Sequence, residues 1–198
     1  MKQIAFFVSI IFFIGGLVAA QYFLSDSSKP SKPIPIAGKN FGGDFTLNEK
    51  GGTPASLSDY RGKVVVMYFG YASCPDVCPT SLAVIGSAIK SLSEEEQADV
   101  QGLFISVDPE RDNGERLKKY AKYFHKNFDG ITGTPEEIQA VARQYGSYFA
   151  KVDSDSALTY LVDHTSTTFI IGRDGKFVSS QPHASTAAQI AEGIREAL

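Results

Sequence analysis

The chain has 198 residues and a formal net charge of −3, from 19 Lys and Arg against 22 Asp and Glu. That balance offers no basic face to nucleic acid, and 43% apolar with 21% charged residues is an ordinary globular composition rather than a disordered one. Two cysteines are too few for a disulfide scaffold and direct attention to metal or redox chemistry, while two methionines, Met1 and Met67, exclude a thioether-rich copper-storage module.

After Met1-Lys2-Gln3 the chain is uncharged and mostly apolar from Ile4 to Leu24. About 20 apolar residues span a bilayer, so residues 1–24 read as a membrane anchor or signal sequence. Val18-Ala19-Ala20 would suit a cleavage site, but the apolar run continues through Tyr22, Phe23 and Leu24, which favours an anchor. Lys2 beside the amino terminus places the rest of the chain across the membrane. No Arg-rich presequence precedes it, which favours a bacterial over an organellar protein. The expected location is therefore the bacterial cytoplasmic membrane, with the globular domain in the periplasm or extracytoplasmic space. Residues 25–40 are rich in Ser, Pro and Lys and read as an extended tether, in which Pro30, Pro33 and Pro35 oppose helix.

Residues 41–198 remain as one folded domain. Residues 41–47 read as a short strand or hairpin arm before the Gly51-Gly52 turn. Residues 63–69 are a near-continuous apolar, β-branched run, the pattern of a strand buried on both faces. A loop carrying both cysteines follows at once. Residues 79–92 then place Leu82, Ile85, Ile89 and Leu92 at helical spacing. Residues 101–107 form a second buried strand, and residues 115–126 gather Leu117, Tyr120, Ala121 and Phe124 on one helical face. Thr134 as N-cap, Pro135 in the first turn and Glu137 three residues after the cap predict a helix over 135–145. Residues 148–152 and 158–162 flank Asp153-Ser154-Asp155-Ser156 as an inserted hairpin. Residues 167–171 and 176–180 flank Gly172-Arg173-Asp174-Gly175 as a second hairpin, and residues 186–197 close the chain as helix. Strand–helix–strand followed by hairpin and terminal helix predicts an α/β, thioredoxin-like fold: a central mixed sheet flanked by helices, with a β-hairpin insertion, preceded by the N-terminal transmembrane anchor.

The cysteine loop reads Gly70-Tyr71-Ala72-Ser73-Cys74-Pro75-Asp76-Val77-Cys78-Pro79, between a buried strand and a helix N-terminus, where α/β folds place their sites. Cysteines at i and i+4 can face the same side of a first helical turn. Helix-end amides favour the thiolate, which both binds metal and attacks disulfides. A plain disulfide is the bland alternative, although so small a loop adds little stability. Thiol–disulfide enzymes of this fold separate their cysteines by two residues, not three. Two thiolates suit Cu(I), and an added imidazole extends the range towards Cu(II). Zinc would normally require four protein ligands.

Of three histidines, His125 ends a charged helix, where a cation suits the C-terminus, and His183 follows Pro182 in an exposed turn. His164 lies in Asp163-His164-Thr165-Ser166, just before the penultimate strand, in a loop that packs on the cysteine loop in thioredoxin-like proteins. Asp163 would either orient its imidazole or form a surface pair. Ser166 stands where thioredoxin-like reductases carry a cis-proline, which favours a metal site over a substrate-binding one. In Asp108-Pro109-Glu110-Arg111-Asp112, Pro109 ends a strand, Asp112 or Asn113 caps the next helix, and Glu110 and Arg111 decorate a loop that could also dock a partner. Tyr71 and Phe69 read as packing.

The segments Tyr71–Pro79, Val107–Asp112 and Asp163-His164, in this order and spacing, resemble the Sco/SenC family over about residues 41–198. The resemblance implies a thioredoxin-like domain on a membrane anchor, with copper held by Cys74, Cys78 and His164. It also implies a role in building the binuclear copper centre of cytochrome c oxidase subunit II, with that subunit and a periplasmic copper donor as partners. Two functions follow. The first is a metallochaperone that delivers copper, as Cu(I) or Cu(II), without turnover. The second is a thiol–disulfide reductase that keeps the subunit's cysteines reduced, with Cys74 attacking and Cys78 resolving. Weaker alternatives are a peroxiredoxin-like peroxidase and a redox or copper sensor.

Overall fold

The computed structural model describes residues 41–48, 53–154 and 160–198. All of them lie in one unit, Pro33–Leu198. The expected anchor (1–24) and tether (25–40) fall outside the described residues, as do the Gly51-Gly52 turn and residues 155–159. Among the described residues no helix is long and apolar enough to cross a membrane.

The elements run β1 (Thr46–Leu47), β2 (Ala55–Ser56), a 3₁₀ turn (Leu57–Tyr60), β3 (Val64–Gly70), α1 (Val77–Lys90), α2 (Glu94–Ala98) and β4 (Val100–Ser106). They continue through α3 (Gly114–Phe124), β5 (Phe128–Ile131), α4 (Pro135–Gln144), β6 (Phe149–Asp153), β7 (Tyr160–His164), β8 (Thr168–Ile171), β9 (Phe177–Gln181) and α5 (Ala187–Ala197). Five strands form the central sheet in the order β5-β4-β3-β8-β9. The first three are parallel, joined through α1 and α3, and β8 and β9 add antiparallel. Every residue of β3 and β4 is buried, as the unbroken apolar run of β3 and the largely apolar one of β4 require of strands covered on both faces.

Alternation along the strands sends neighbouring side chains to opposite layers. Phe69 of β3 and Phe169 of β8 meet the ring of Tyr145, which caps α4, at 6.4 and 5.7 Å between centroids. Ile170, one residue on, faces α5. There a Cβ on Gly193 would lie 2.6 Å from the Ile170 side chain, so glycine permits the close approach of helix and sheet. The result is a mixed sheet between helical layers, as the element pattern predicts.

Two elements escape that pattern. Five-residue α2 is too short to show a period, though the Ser93–Glu96 capping box marks its start. Edge strand β5, Phe-Asp-Gly-Ile, carries too few apolar residues to stand out, yet pairs with β4 from Gly102–Phe128 to Ile105–Ile131. The inserted hairpin β6–β7 is a separate two-stranded sheet with register Phe149–His164 to Asp153–Tyr160.

Candidate metal centre

The end of β3 delivers the chain into the cysteine loop, and a turn closed by Cys74 N–H donating to the Tyr71 carbonyl (3.2 Å) sets Cys74 ahead of the helix. Helix α1 begins at Val77, two residues earlier than its apolar spacing indicates, with Asp76 as N-cap. Cys78 therefore sits within the first helical turn and Cys74 outside it. Cys78 is fully buried, whereas Cys74 is partly exposed, and both are free thiols. Gly70 makes room for the inner sulfur: a Cβ at this position would lie 2.7 Å from Cys78 Sγ.

His164 comes from the other sheet. It is the last residue of β7 rather than a loop residue, and its Nε2 lies 3.1 Å from Cys78 Sγ. Its ring stands edge-on between Tyr68 and Tyr71, at 6.1 and 5.9 Å between centroids. Its Nδ1 faces the Thr165 carbonyl oxygen at 3.3 Å. This contact orients the ring so that Nε2 is turned to the thiols. The donor atoms of Cys74, Cys78 and His164 all lie within 4.8 Å of one another, and no other such group of His, Cys, Asp and Glu occurs among the described residues. Thiolate and imidazole ligands at bond lengths of about 2.0–2.3 Å are at most about 4.6 Å apart across one ion, so the three can close on a metal with small movements.

The two thiols differ in charge. Cys74 is held well below the ordinary thiol range, first by the hydrogen bond that Cys78 donates to it, then by His164 and the backbone N–H groups of Asp76 and Cys78, against the opposing effect of burial. Cys78 is pushed the other way, by that same bond to the Cys74 thiolate and by burial. The reduced pair thus holds a half-exposed thiolate beside a buried thiol.

The remaining candidates fall elsewhere. Asp163 is exposed, and as the strand neighbour of His164 it points to the opposite face; no hydrogen bond joins the two among the described residues. Thr165, not Asp163, supplies the oxygen beside the imidazole Nδ1. His183 does lie in an exposed turn, but its Nδ1 is 2.9 Å from Ser81 Oγ and it is not in the ligand group. His125 is not the helix-end cation of the sequence reading. Burial and the charges of Lys126, Lys90 and Lys122 push its pKa down, and its Nδ1 accepts the Asn127 N–H.

The larger correction concerns residues 108–112. Asn113 is the helix cap, accepting from Arg116 N–H, but Asp108 and Asp112 are buried and Arg111 does not merely decorate a loop. Asp112 Oδ2 accepts from Ala72 N–H in the cysteine loop (2.8 Å) and from the Ser106 hydroxyl (2.6 Å). Asp108 pairs with Arg111 and accepts from the Tyr160 hydroxyl (2.8 Å). Tyr71, beyond packing on His164, accepts the Val162 N–H (3.3 Å). Local pattern carried no signal for this, because an Asp-Pro-Glu-Arg-Asp run after a strand has the composition of an exposed loop and its partners lie far away in sequence.

These residues sit in a chain whose positions 35–198 match the SCO1/SenC family model. The chain belongs to the SCO1/SenC family. The SCO2-like protein of Rickettsia felis is 33% identical over 206 residues, covering 98% of this chain and 99% of its own. The mitochondrial SCO1 homolog 1 of Arabidopsis thaliana is 36% identical over 86% of this chain, which spans only 51% of that relative's length. Among solved structures, Arabidopsis thaliana ScoI with copper bound superposes with a TM-score of 0.72 at 36% identity, covering 79% of this chain and 97% of that one. BsSco, described as a member of the Sco family of cytochrome c oxidase assembly proteins with a disulfide switch, gives 0.61 at 26% identity, over 84% and 98%. The thioredoxin-like mixed α/β fold of this SCO1/SenC domain is that of these structures.

Proposed function

We propose that this SCO1/SenC protein is a copper metallochaperone that holds copper through Cys74, Cys78 and His164 and delivers it to the binuclear copper site of cytochrome c oxidase subunit II. The observation that carries the reading is the convergence within 4.8 Å of two sulfurs, from the loop and helix start after β3, and one imidazole nitrogen, from the separate β6–β7 sheet. The donor set suits the cargo: two soft sulfurs fit Cu(I), and the imidazole keeps Cu(II) within reach. With three protein donors and a half-exposed Cys74, an incoming thiolate of the receiving protein has an open side from which to begin ligand exchange. Copper-bound relatives and the Sco description as oxidase assembly proteins support the cargo and the destination. A periplasmic copper donor upstream and an extracytoplasmic location on the membrane, through residues 1–24, complete the proposal. The test is transfer. Copper-loaded protein is mixed with the reduced soluble domain of subunit II, and the absorption of the mixed-valence binuclear centre is followed. Its appearance with matching loss of copper from the donor supports delivery; none over many hours, with copper retained, refutes it.

One observation favours a second reading. A half-exposed thiolate beside a buried, proton-bearing thiol is the arrangement of an attacking and a resolving cysteine. Metal-free protein would then reduce a disulfide in subunit II, becoming oxidised at Cys74–Cys78. That activity would survive His164→Ala, whereas copper delivery would not.

A further inference from the structure

The cysteines follow β3 of the central sheet and His164 ends β7 of the separate hairpin sheet. The two sheets share no strand pairing, so the distance from His164 to the thiols is set by whatever fastens the β6–β7 hairpin to the body. Besides His164 itself, polar contacts fasten this hairpin to Tyr71 and to residues 108–111 of the body. Arg111 donates to the Tyr160 carbonyl (2.9 Å), pairs with buried Asp108, and stacks its guanidinium 3.8 Å from the centre of the Tyr160 ring. The Tyr160 hydroxyl returns to Asp108 (2.8 Å), and Lys151 pairs with Glu110 (2.5 Å) while lying 4.6 Å over the same ring. On its other side the same segment reaches the cysteine loop: Arg111 faces Tyr71 at 5.4 Å, Asp112 accepts from Ala72 N–H, and Arg116 donates to Ser73 Oγ (2.7 Å).

We propose that Arg111 and Tyr160 are positioning residues, a latch that fixes the histidine-bearing hairpin against the cysteine loop and so sets how firmly His164 joins the two sulfurs. This rests on the copper reading above. Arg suits the place because a planar, permanently charged fork can bond a carboxylate and a carbonyl while stacking on an aromatic face, which lysine cannot do. Loosening the latch withdraws the imidazole and leaves the cysteine pair as it was. Cu(II), which depends on the nitrogen ligand, suffers more than Cu(I), which two thiolates can hold.

The experiment compares Arg111→Gln and Tyr160→Phe, each in the wild-type and His164→Ala backgrounds, with folding checked by circular dichroism. Arg111→Gln is expected to weaken Cu(II) binding by about 10-fold or more, as loss of a group orienting a metal-bound histidine does, and to alter the Cu(II) electron paramagnetic resonance spectrum. In the His164→Ala background the same substitution is expected to change copper affinity by less than about twofold, because the residue it positions is gone. Tyr160→Phe keeps the stacked ring, loses the bond to Asp108, and is expected to fall between; it carries the test if Arg111→Gln does not fold. A second readout needs no metal. In the metal-free protein, hydrogen exchange at Val162–His164 is expected to quicken in both variants while β3 and β8 stay protected. Equal losses in the two backgrounds, or unchanged exchange in β7, would overturn the latch. Failure of the wild type to bind copper would instead remove the copper reading, and the exchange measurement would still judge the latch.

Discussion

The Cys74 thiolate owes its charge to a proton held on its neighbour. Because the folded pKa is lowered, the stability this group contributes is fully present above the ordinary thiol range and is lost as pH falls through the lowered value. Its reactivity follows the same rule. An ordinary thiol gains about tenfold in alkylation rate per pH unit below its pKa, but Cys74 should react with iodoacetamide at a nearly constant rate from about pH 5 to pH 8, while buried Cys78 lags. Peptide mapping after timed alkylation checks both; a rate that climbs through this range contradicts the assignment of the thiolate. Gly70 offers a second residue-scale test. Gly70→Ala and Gly102→Ala both crowd the core, the first against Cys78 Sγ at 2.7 Å and the second against the Phe128 ring at 2.6 Å. Each should lower stability by about 1–3 kcal/mol, measured by chemical denaturation. Only Gly70→Ala should also weaken Cu(I) binding, since it alone presses on a ligand.

At the scale of elements, local signals stand where side chains speak to their own backbone. The Thr134 hydroxyl accepts from Glu137 N–H, and Glu137 returns to Thr134 N–H, as the Thr-Pro-Glu-Glu start of α4 predicts. Glu137 also accepts from Asn48 through its backbone (2.9 Å) and side chain (2.5 Å), tying β1 to the helix, which no local pattern announces. Thr134→Ala should therefore cost about 1 kcal/mol, Glu137→Ala more, and neither should change copper affinity, as read from thermal melts and titrations side by side. The cysteine helix, the buried strands and both hairpins were legible for the same local reason: period and turn residues declare them. Residues 108–112 were not, because their side chains bond to partners as distant as Ala72 and Tyr160. A polar run after a strand reads as surface until the fold wraps it. Likewise, the sequence leaves Asp163 open between orienting His164 and forming a surface pair, and strand alternation turns it to the opposite face.

Over the whole molecule, the work divides between a rigid sheet and a fastened hairpin. Strands β3 and β4, buried throughout, hold the cysteine loop on a base where each large apolar side chain contributes about 1.5–3 kcal/mol. His164 arrives on a separate sheet held by tyrosines and charged groups, so the centre is assembled across a contact between sheets. Which residues meet was readable from motif order; how they are held together required the fold, because it depends on contacts between segments far apart in sequence. The claim on which the account rests is that three donors act as one copper site. It is tested most directly by titrating the reduced protein, without oxygen, with Cu(I) against a chelator of known affinity, alongside Cys74→Ala, Cys78→Ala and His164→Ala. The account predicts tight one-to-one binding in the wild type that weakens about tenfold or more in every variant. Binding by His164→Ala as tight as that of the wild type would contradict it, leaving the cysteine pair to redox chemistry.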